Sequence, residues 1–210
     1  MCASLNCRAP EALPLDNMPP IVLASTSPYR RELLQRLRLP FVVQAPSVDE
    51  RPLPGEAPRE TACRLALAKA RAVASSRPEA IVIGSDQVAD VDGEALSKPG
   101  SHEAALALLT RMQGREVVFH TALAVVGPDA EPQVDEVPTT VRFRVLPAAQ
   151  LDAYLHLEQP YDCAGAAKIE SLGITLLESV RSDDPTALVG LPLIRLTTML
   201  AACGVRLPAP

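Results

Sequence analysis

The chain has 210 residues, 48% of them apolar, a formal charge of −5, three Phe, three Tyr and no Trp. That length suits one domain with a real core, the apolar content excludes a disordered chain, and the acidic balance argues against nucleic acid as a partner. Of its 20 basic residues 17 are Arg and only three are Lys (Lys69, Lys98 and Lys168), which raises the question of why Lys persists at those places.

Residues 1–19 read as a loose extension, with Pro and acidic residues and no apolar segment of the signal-peptide kind. Met18 stands just before the first strand-like run and is a candidate natural start, which N-terminal sequencing would settle. The domain proper is expected over residues 20–210. Ile21–Ser25 is a short strand; Ser27 then offers an N-cap and Pro28 the first helical position, opening a helix to about Leu37. Phe41–Val43 is a second strand, and a proline-rich loop carries Asp49 and Glu50. Pro58–Ser76 is a long Ala-rich helix. Ala80–Gly84 is a buried strand that continues through Ser85, Asp86 and Gln87 toward a hairpin turn at Asp92–Gly93. Ser101 caps a helix that Gly114 ends. Strands are expected at Glu116–Val126 and Val137–Val145, a helix at Pro147–Leu157, a strand at Ile169–Leu177 and a closing helix from about Pro185 to Cys203. This order means one mixed α/β domain with an antiparallel component.

No apolar run reaches the roughly 18 residues that span a membrane. The five cysteines (Cys2, Cys7, Cys63, Cys163 and Cys203) are odd in number and form no CxxC, as in a reduced cytoplasmic protein. His102 and His120 lack ligand spacing and His156 ends a helix, so none of the three reads as catalytic.

Three places carry candidate chemistry. In Ser25-Thr-Ser-Pro-Tyr-Arg30-Arg31-Glu32, a strand, a polar loop and a helix N-terminus expose unpaired N–H groups. Two Arg in the first helical turn oppose the helix dipole; either an anion such as phosphate binds there, or both point to solvent and pair with Glu32 or Asp49. In Gly84-Ser85-Asp86-Gln87 a carboxylate interrupts an apolar strand, which suits a general base or a metal ligand in a cleft. Glu50 is the natural second carboxylate, and two of them beside a phosphate loop suggest a magnesium-type site with oxygen ligands. Lys69 lies among small and apolar residues, Lys98 follows the hairpin, and Lys168 precedes the Ile169 strand; each ammonium suits phosphate oxygens, or is an ordinary surface charge.

Taken together these segments resemble the Maf family of nucleotide pyrophosphatases. The matching residues run in order: Leu23-Ala-Ser-Thr-Ser-Pro-Tyr-Arg-Arg-Glu32, Val48-Asp49-Glu50, Ala66-Leu-Ala-Lys69-Ala70 and Ile83-Gly-Ser-Asp-Gln-Val88. They continue with Asp92-Gly93, Lys98-Pro99, Gly114, a strand carrying Thr121, Cys163-Ala-Gly165, Lys168-Ile-Glu170, Gly173-Ile174 and Leu188-Val-Gly-Leu-Pro192. The resemblance covers roughly Pro20 to Gly204. It implies a mixed-sheet fold like that of the inosine triphosphate pyrophosphatases, an elongated two-lobed domain with a central cleft, in a cytoplasmic homodimer. It also implies a hydrolase that splits a nucleoside triphosphate between the α and β phosphates. By position, Asp86 would accept the proton of the attacking water, and Glu50 with Asp86 would hold Mg²⁺ or Mn²⁺. Ser25, Arg30, Lys69, Lys98 and Lys168 would face the phosphates.

Members acting on dTTP and UTP usually carry Arg, Thr and Gln at the positions of Tyr29, Gln87 and Glu170. The set found here resembles the 7-methyl-GTP subgroup, in which Trp is usual at the Tyr29 position. N7-methylguanine is cationic, so an aromatic face and a carboxylate complement it, the face alone by about 0.5–2 kcal/mol. The alternatives are another nucleotide as substrate (dTTP, UTP or a different modified base) and a nucleotide-binding regulator of septum formation.

Overall fold

The structure, a computed structural model, describes residues 18–128 and 130–208. The extension expected over residues 1–19, like Cys2 and Cys7, falls outside them apart from Met18 and Pro19. One mixed seven-stranded sheet runs through the domain in the order β2-β1-β3-β5-β6-β7, with β4 paired to β3. Its strands are β1 (Ile21–Ala24), β2 (Phe41–Gln44), β3 (Ile81–Val91), β4 (Glu94–Leu96), β5 (Glu116–Val126), β6 (Gln133–Phe143) and β7 (Leu177–Ser182). Strands β1, β2 and β3 are mutually parallel neighbours, whereas β3, β5, β6 and β7 alternate antiparallel. Among the described residues five α-helices accompany them: α1 (Pro28–Gln35), α2 (Pro58–Ala74), α3 (His102–Met112), α4 (Ala148–Glu158) and α5 (Leu193–Ala202).

The pleat of β3 and β1 sorts side chains between two faces, because successive residues of a strand point oppositely. Ile21, Leu23, Ile81 and Ile83 bury against Leu33 and Leu34 of α1 and Leu196, Met199 and Leu200 of α5. Val22, Ala24 and Val82 instead meet Ala62, Ala66, Ala70 and Val73 of α2. The small residues of α2 let it lie close on the sheet, and Gly84 makes this closest of all. A Cβ at that position would stand 2.3 Å from the Ala66 carbonyl oxygen and 2.8 Å from the Ala70 nitrogen. A third core, from Ala89, Leu109, Met112, Phe119, Phe143, Leu151, Tyr154 and Leu155, binds α3 and α4 to the far half of the sheet. The long strands β3 and β5 are shared between these cores, so the molecule has two lobes on one continuous sheet.

Two expected elements differ from what forms. The strand expected at Ile169–Leu177 is a short 3-10 turn over Leu172–Leu176, and β7 begins only at Leu177. Local bonds curl that segment: the Lys168 carbonyl accepts from Ser171 and Gly173 nitrogens, and the Glu158 carboxylate accepts from Ser171 Oγ and the Leu172 nitrogen. The closing helix starts at Leu193 rather than near Pro185. Gly190, at φ 118°, breaks the chain direction, and the buried Asp184 caps the helix by accepting from the Ile194 nitrogen at 2.7 Å.

Candidate functional site

A cleft of about 510 Å³ opens between the two lobes, within the size range of small-molecule sites. Eight of the ten site residues expected from sequence line it: Ser25, Tyr29, Arg30, Glu50, Lys69, Asp86, Gln87 and Lys98. Lys168 and Glu170 are not among the lining residues.

The charged centre of the cleft follows from the β3–α2 contact. Asp86 is on the same face of β3 as Val82 and Gly84, so it points toward α2, and Lys69 comes down to meet it. Lys69 Nζ lies 2.6 Å from Asp86 Oδ1 and 2.8 Å from Glu50 Oε1. Lys69 is only 5% exposed and Asp86 8%, so each supplies the counter-charge that the other's burial demands. Glu50 reaches in from the proline-rich loop. Burial by itself would push its carboxyl up, but the hydrogen bond and charge of Lys69, with Lys98 and Arg30 behind, hold it below the usual carboxylate range. Lys69 thus draws two carboxylates to one point, which spacing in the sequence left open.

The loop after β1 forms the adjoining wall. Ser25, 3% exposed, accepts from the Ser27 nitrogen at 3.1 Å, and Ser27 caps α1 by accepting from the Arg30 nitrogen. No acidic residue occupies the first turn of α1. Arg30 pairs with neither Asp49 nor Glu32: Asp49 pairs with Arg51, Oδ2 to Nη2 at 2.6 Å, and Glu32 with Arg36 at 3.6 Å. Arg30 instead donates from Nε to the Gly190 carbonyl at 2.9 Å. Its burial lowers the guanidinium below its ordinary value, against the opposing charges of Asp86 and Glu50.

Ser85 and Gln87 point to the opposite face of β3 and hold the segment before α5. Ser85 Oγ donates within bonding distance of the Ala122 and Gly190 carbonyls. Gln87 Nε2 approaches Thr121 Oγ1 at 2.9 Å and the Ala187 and Leu188 carbonyls at 3.2 and 3.0 Å. Those carbonyls fix which end of the amide is nitrogen, so the oxygen is what Gln87 can offer to a ligand. The sequence marked Leu188–Pro192 of this segment as part of the resemblance but gave it no role at the site. Its contribution is made by backbone oxygens, which leave no mark in residue identities.

At the other end of the cleft, Tyr29 sits half-buried beside Cys163, and Asp162 and Ala164 join the lining. Burial raises the Tyr29 phenol well above its ordinary value, and Cys163, Asp162 and Glu170 add to the effect. The Cys163 thiol is pushed up to about 11 by burial and by Asp162. Asp162 is a carboxylate of the cleft wall that the sequence reading passed over. Lys168 turns away to donate from Nζ to the Glu158 carbonyl at the end of α4, 2.8 Å distant. Among the described residues no helix is long and apolar enough to cross a membrane.

The family model described as Maf-like protein matches residues 20–203. A protein named 7-methyl-GTP pyrophosphatase from Polaromonas sp. (strain JS666) is 62% identical over 189 residues, which is 90% of this chain and 86% of that one. Another of the same name from Albidiferax ferrireducens is 57% identical over 187 residues, 89% of this chain and 94% of its own. Among solved structures, the Staphylococcus aureus Ham1 protein aligns with a TM-score of 0.45 at 21% identity, covering 59% of this chain and 71% of that one. With a match that runs from the first strand into the last helix, the chain belongs to the Maf family.

Proposed function

We propose that this protein hydrolyses 7-methyl-GTP to 7-methyl-GMP and diphosphate, clearing a modified nucleotide from the pool. The observation that carries the substrate is the base end of the cleft, where the half-buried Tyr29 and the carboxylate-bearing Asp162 both line the wall. An aromatic face flanked by negative charge suits a cationic purine and gives a neutral pyrimidine nothing comparable. The names of the most similar relatives point the same way.

At the phosphate end, Asp86 accepts the proton of the attacking water, and Ser25, Arg30, Lys69 and Lys98 face the triphosphate. Lys168 joins them only by releasing the Glu158 carbonyl. Glu50 and Asp86 each give one oxygen to Lys69, and their carboxylates are the hard donors that would hold Mg²⁺ or Mn²⁺ beside that ammonium. Such an ion, when bound, supplies charge neutralisation for the triphosphate. Gln87 offers its amide oxygen, and Glu170 a carboxylate, to the N1–H and exocyclic N2–H groups of guanine. The same reading carries a cytoplasmic location, a homodimer, and a nucleotide rather than nucleic acid or membrane as partner.

Diphosphate release measured on 7-methyl-GTP, GTP, dTTP and UTP, with Mg²⁺, Mn²⁺ or a chelator, tests this directly. The methylated nucleotide should give the highest kcat/KM. Asp86→Asn should keep the fold and lose about 10²–10⁴-fold in kcat. Changing Tyr29→Arg, Gln87→Thr and Glu170→Gln together should move preference toward pyrimidines. Near wild-type turnover by the Asn variant would overturn the role of Asp86, and an unmoved preference in the triple variant would overturn the base assignment.

A further inference from the structure

The histidines stand outside the cleft and share no ligand spacing in the sequence, yet the packing of α3 against α4 unites two of them. His102 is the first residue of α3, while Asp152 and His156 are four residues apart on one face of α4. His102 Nε2 lies 2.8 Å from Asp152 Oδ1, and His156 Nε2 lies 3.5 Å from Asp152 Oδ2. One ligand atom from each residue falls within 4.8 Å of the others, and the two imidazole rings lie tilted by 33° with centroids 4.6 Å apart.

The hydrogen bonds of His102 say what belongs between these groups. Its Nδ1 is 3.2 Å from the Tyr161 hydroxyl, which itself donates to the Leu155 carbonyl at 3.4 Å. With the Tyr161 proton on that carbonyl, the hydroxyl accepts from Nδ1–H, and this tautomer leaves a lone pair on Nε2. In that tautomer the lone pair faces a carboxylate oxygen at 2.8 Å, two acceptors that one cation can serve together. A second ring proton would serve His102 and Asp152 alone. A metal ion would serve His156 as well.

We propose that His102, Asp152 and His156 form a metal site of the Zn²⁺ class, separate from the carboxylate pair in the cleft. Two imidazole nitrogens and one carboxylate suit Zn²⁺, Co²⁺ or Ni²⁺, whereas Mg²⁺ prefers oxygen donors. Tyr161 is the outer partner that orients a ligating imidazole. The site also bears on the cleft. The Gly100 nitrogen donates to the Tyr161 carbonyl at 2.9 Å, so the ion would clasp the segment that carries Lys98 to the segment that carries Asp162.

Zn²⁺ titration calorimetry on the chelator-stripped full chain tests the proposal, with thermal unfolding in the same buffers. Wild type should bind one more Zn²⁺ per chain than His156→Ala or Asp152→Asn, and its Tm should rise with Zn²⁺ more than theirs. His156 has a 70% exposed side chain, so its removal should leave Tm in chelator unchanged. Tyr161→Phe keeps all three ligands and should weaken the site by about 10-fold, which a chance grouping of surface side chains would not do. Equal Zn²⁺ stoichiometry in wild type and both ligand variants would overturn the site, whether the ions then sit on cysteines, in the cleft, or nowhere. Adding Zn²⁺ at saturating Mg²⁺ should alter KM of the wild type more than that of His156→Ala.

Discussion

The two ends of the cleft are built differently. At the end proposed for the phosphates, Ser25, Lys69 and Asp86 project from or adjoin regular elements, and all three are less than a tenth exposed. At the base end, Asp162 and Glu170 are exposed and stand on a segment of turns between α4 and β7. Chemistry shared by every substrate of a pyrophosphatase needs fixed geometry, because small misplacements of reacting groups are costly in rate. Selection of a base needs only a few contacts at the mouth, which turns supply and which can change without disturbing the core. The contrast implies that the phosphate end should be sensitive to shape and the base end to charge.

The sharpest way to break that contrast alters shape and leaves every charge in place. Gly84→Ala adds one methyl where Ala66 and Ala70 backbone atoms already stand at 2.3 and 2.8 Å, so α2 must retreat from β3 and take Lys69 with it. The expected outcome is a loss of about 1–3 kcal/mol in stability and, in the folded fraction, up to about 100-fold in kcat. Urea unfolding and diphosphate release measure the two effects. A variant that is destabilised but fully active would mean that Lys69 need not be held against Asp86.

How much of this was legible in the sequence divides along the same line. The core strands and Asp86 were legible because a carboxylate in an apolar run is conspicuous. The position of Lys69 was legible as a lone Lys in an Ala-rich helix. The turn structure around Leu172 and the segment before α5 were not, because their apolar residues follow the same patterns as strand and helix. What decides them is the side-chain capping by Glu158 and Asp184 and the turn at Gly190. The union of His102 with His156, and the part played by Asp162, arise from packing between distant segments, which no local spacing records. Nor was it visible that the three lysines answer differently to the question of why they are not Arg. Lys69 is enclosed; Lys98 is exposed; Lys168 holds a carbonyl.

That difference gives the next prediction, of middle size. Lys69→Arg preserves charge but asks a planar fork to fit where a compact ammonium sits 2.6 and 2.8 Å from two carboxylates. Its kcat should fall by about 100-fold, the effect of roughly an ångström of displacement. Lys98→Arg lies in the open and should stay within about fivefold, the factor that 1 kcal/mol allows a surface charge. Steady-state kinetics on both variants decides it. Equal, small effects would reduce the scarcity of Lys to base composition of the gene.

The smallest effect lies between the two ends, in the loop that brings Glu50 to the cleft. Glu56 fastens this loop to α2: its carboxylate accepts from the Leu53 nitrogen at 3.0 Å, Thr61 Oγ1 at 2.9 Å, and Arg64 Nε and Nη2 at 2.5 and 2.7 Å. The Arg64 hydrogen bonds lead in holding its carboxyl down at about 2, with Leu53 and Thr61 adding to them against the cost of burial. The folded value lies below the unfolded one, so the carboxylate stabilises the native state fully above about pH 4.5 and progressively less as pH falls toward 2. Glu56→Gln lacks the charge throughout. Wild type should therefore exceed it in stability at pH 6, and the gap should close between pH 4.5 and pH 2 in urea unfolding. Asp49, held at about 2 by Arg51, is present in both proteins and cancels from the difference. A gap that stays constant across this range would mean that Glu56 contributes shape alone, and that the loop carrying Glu50 is fastened by packing rather than by charge.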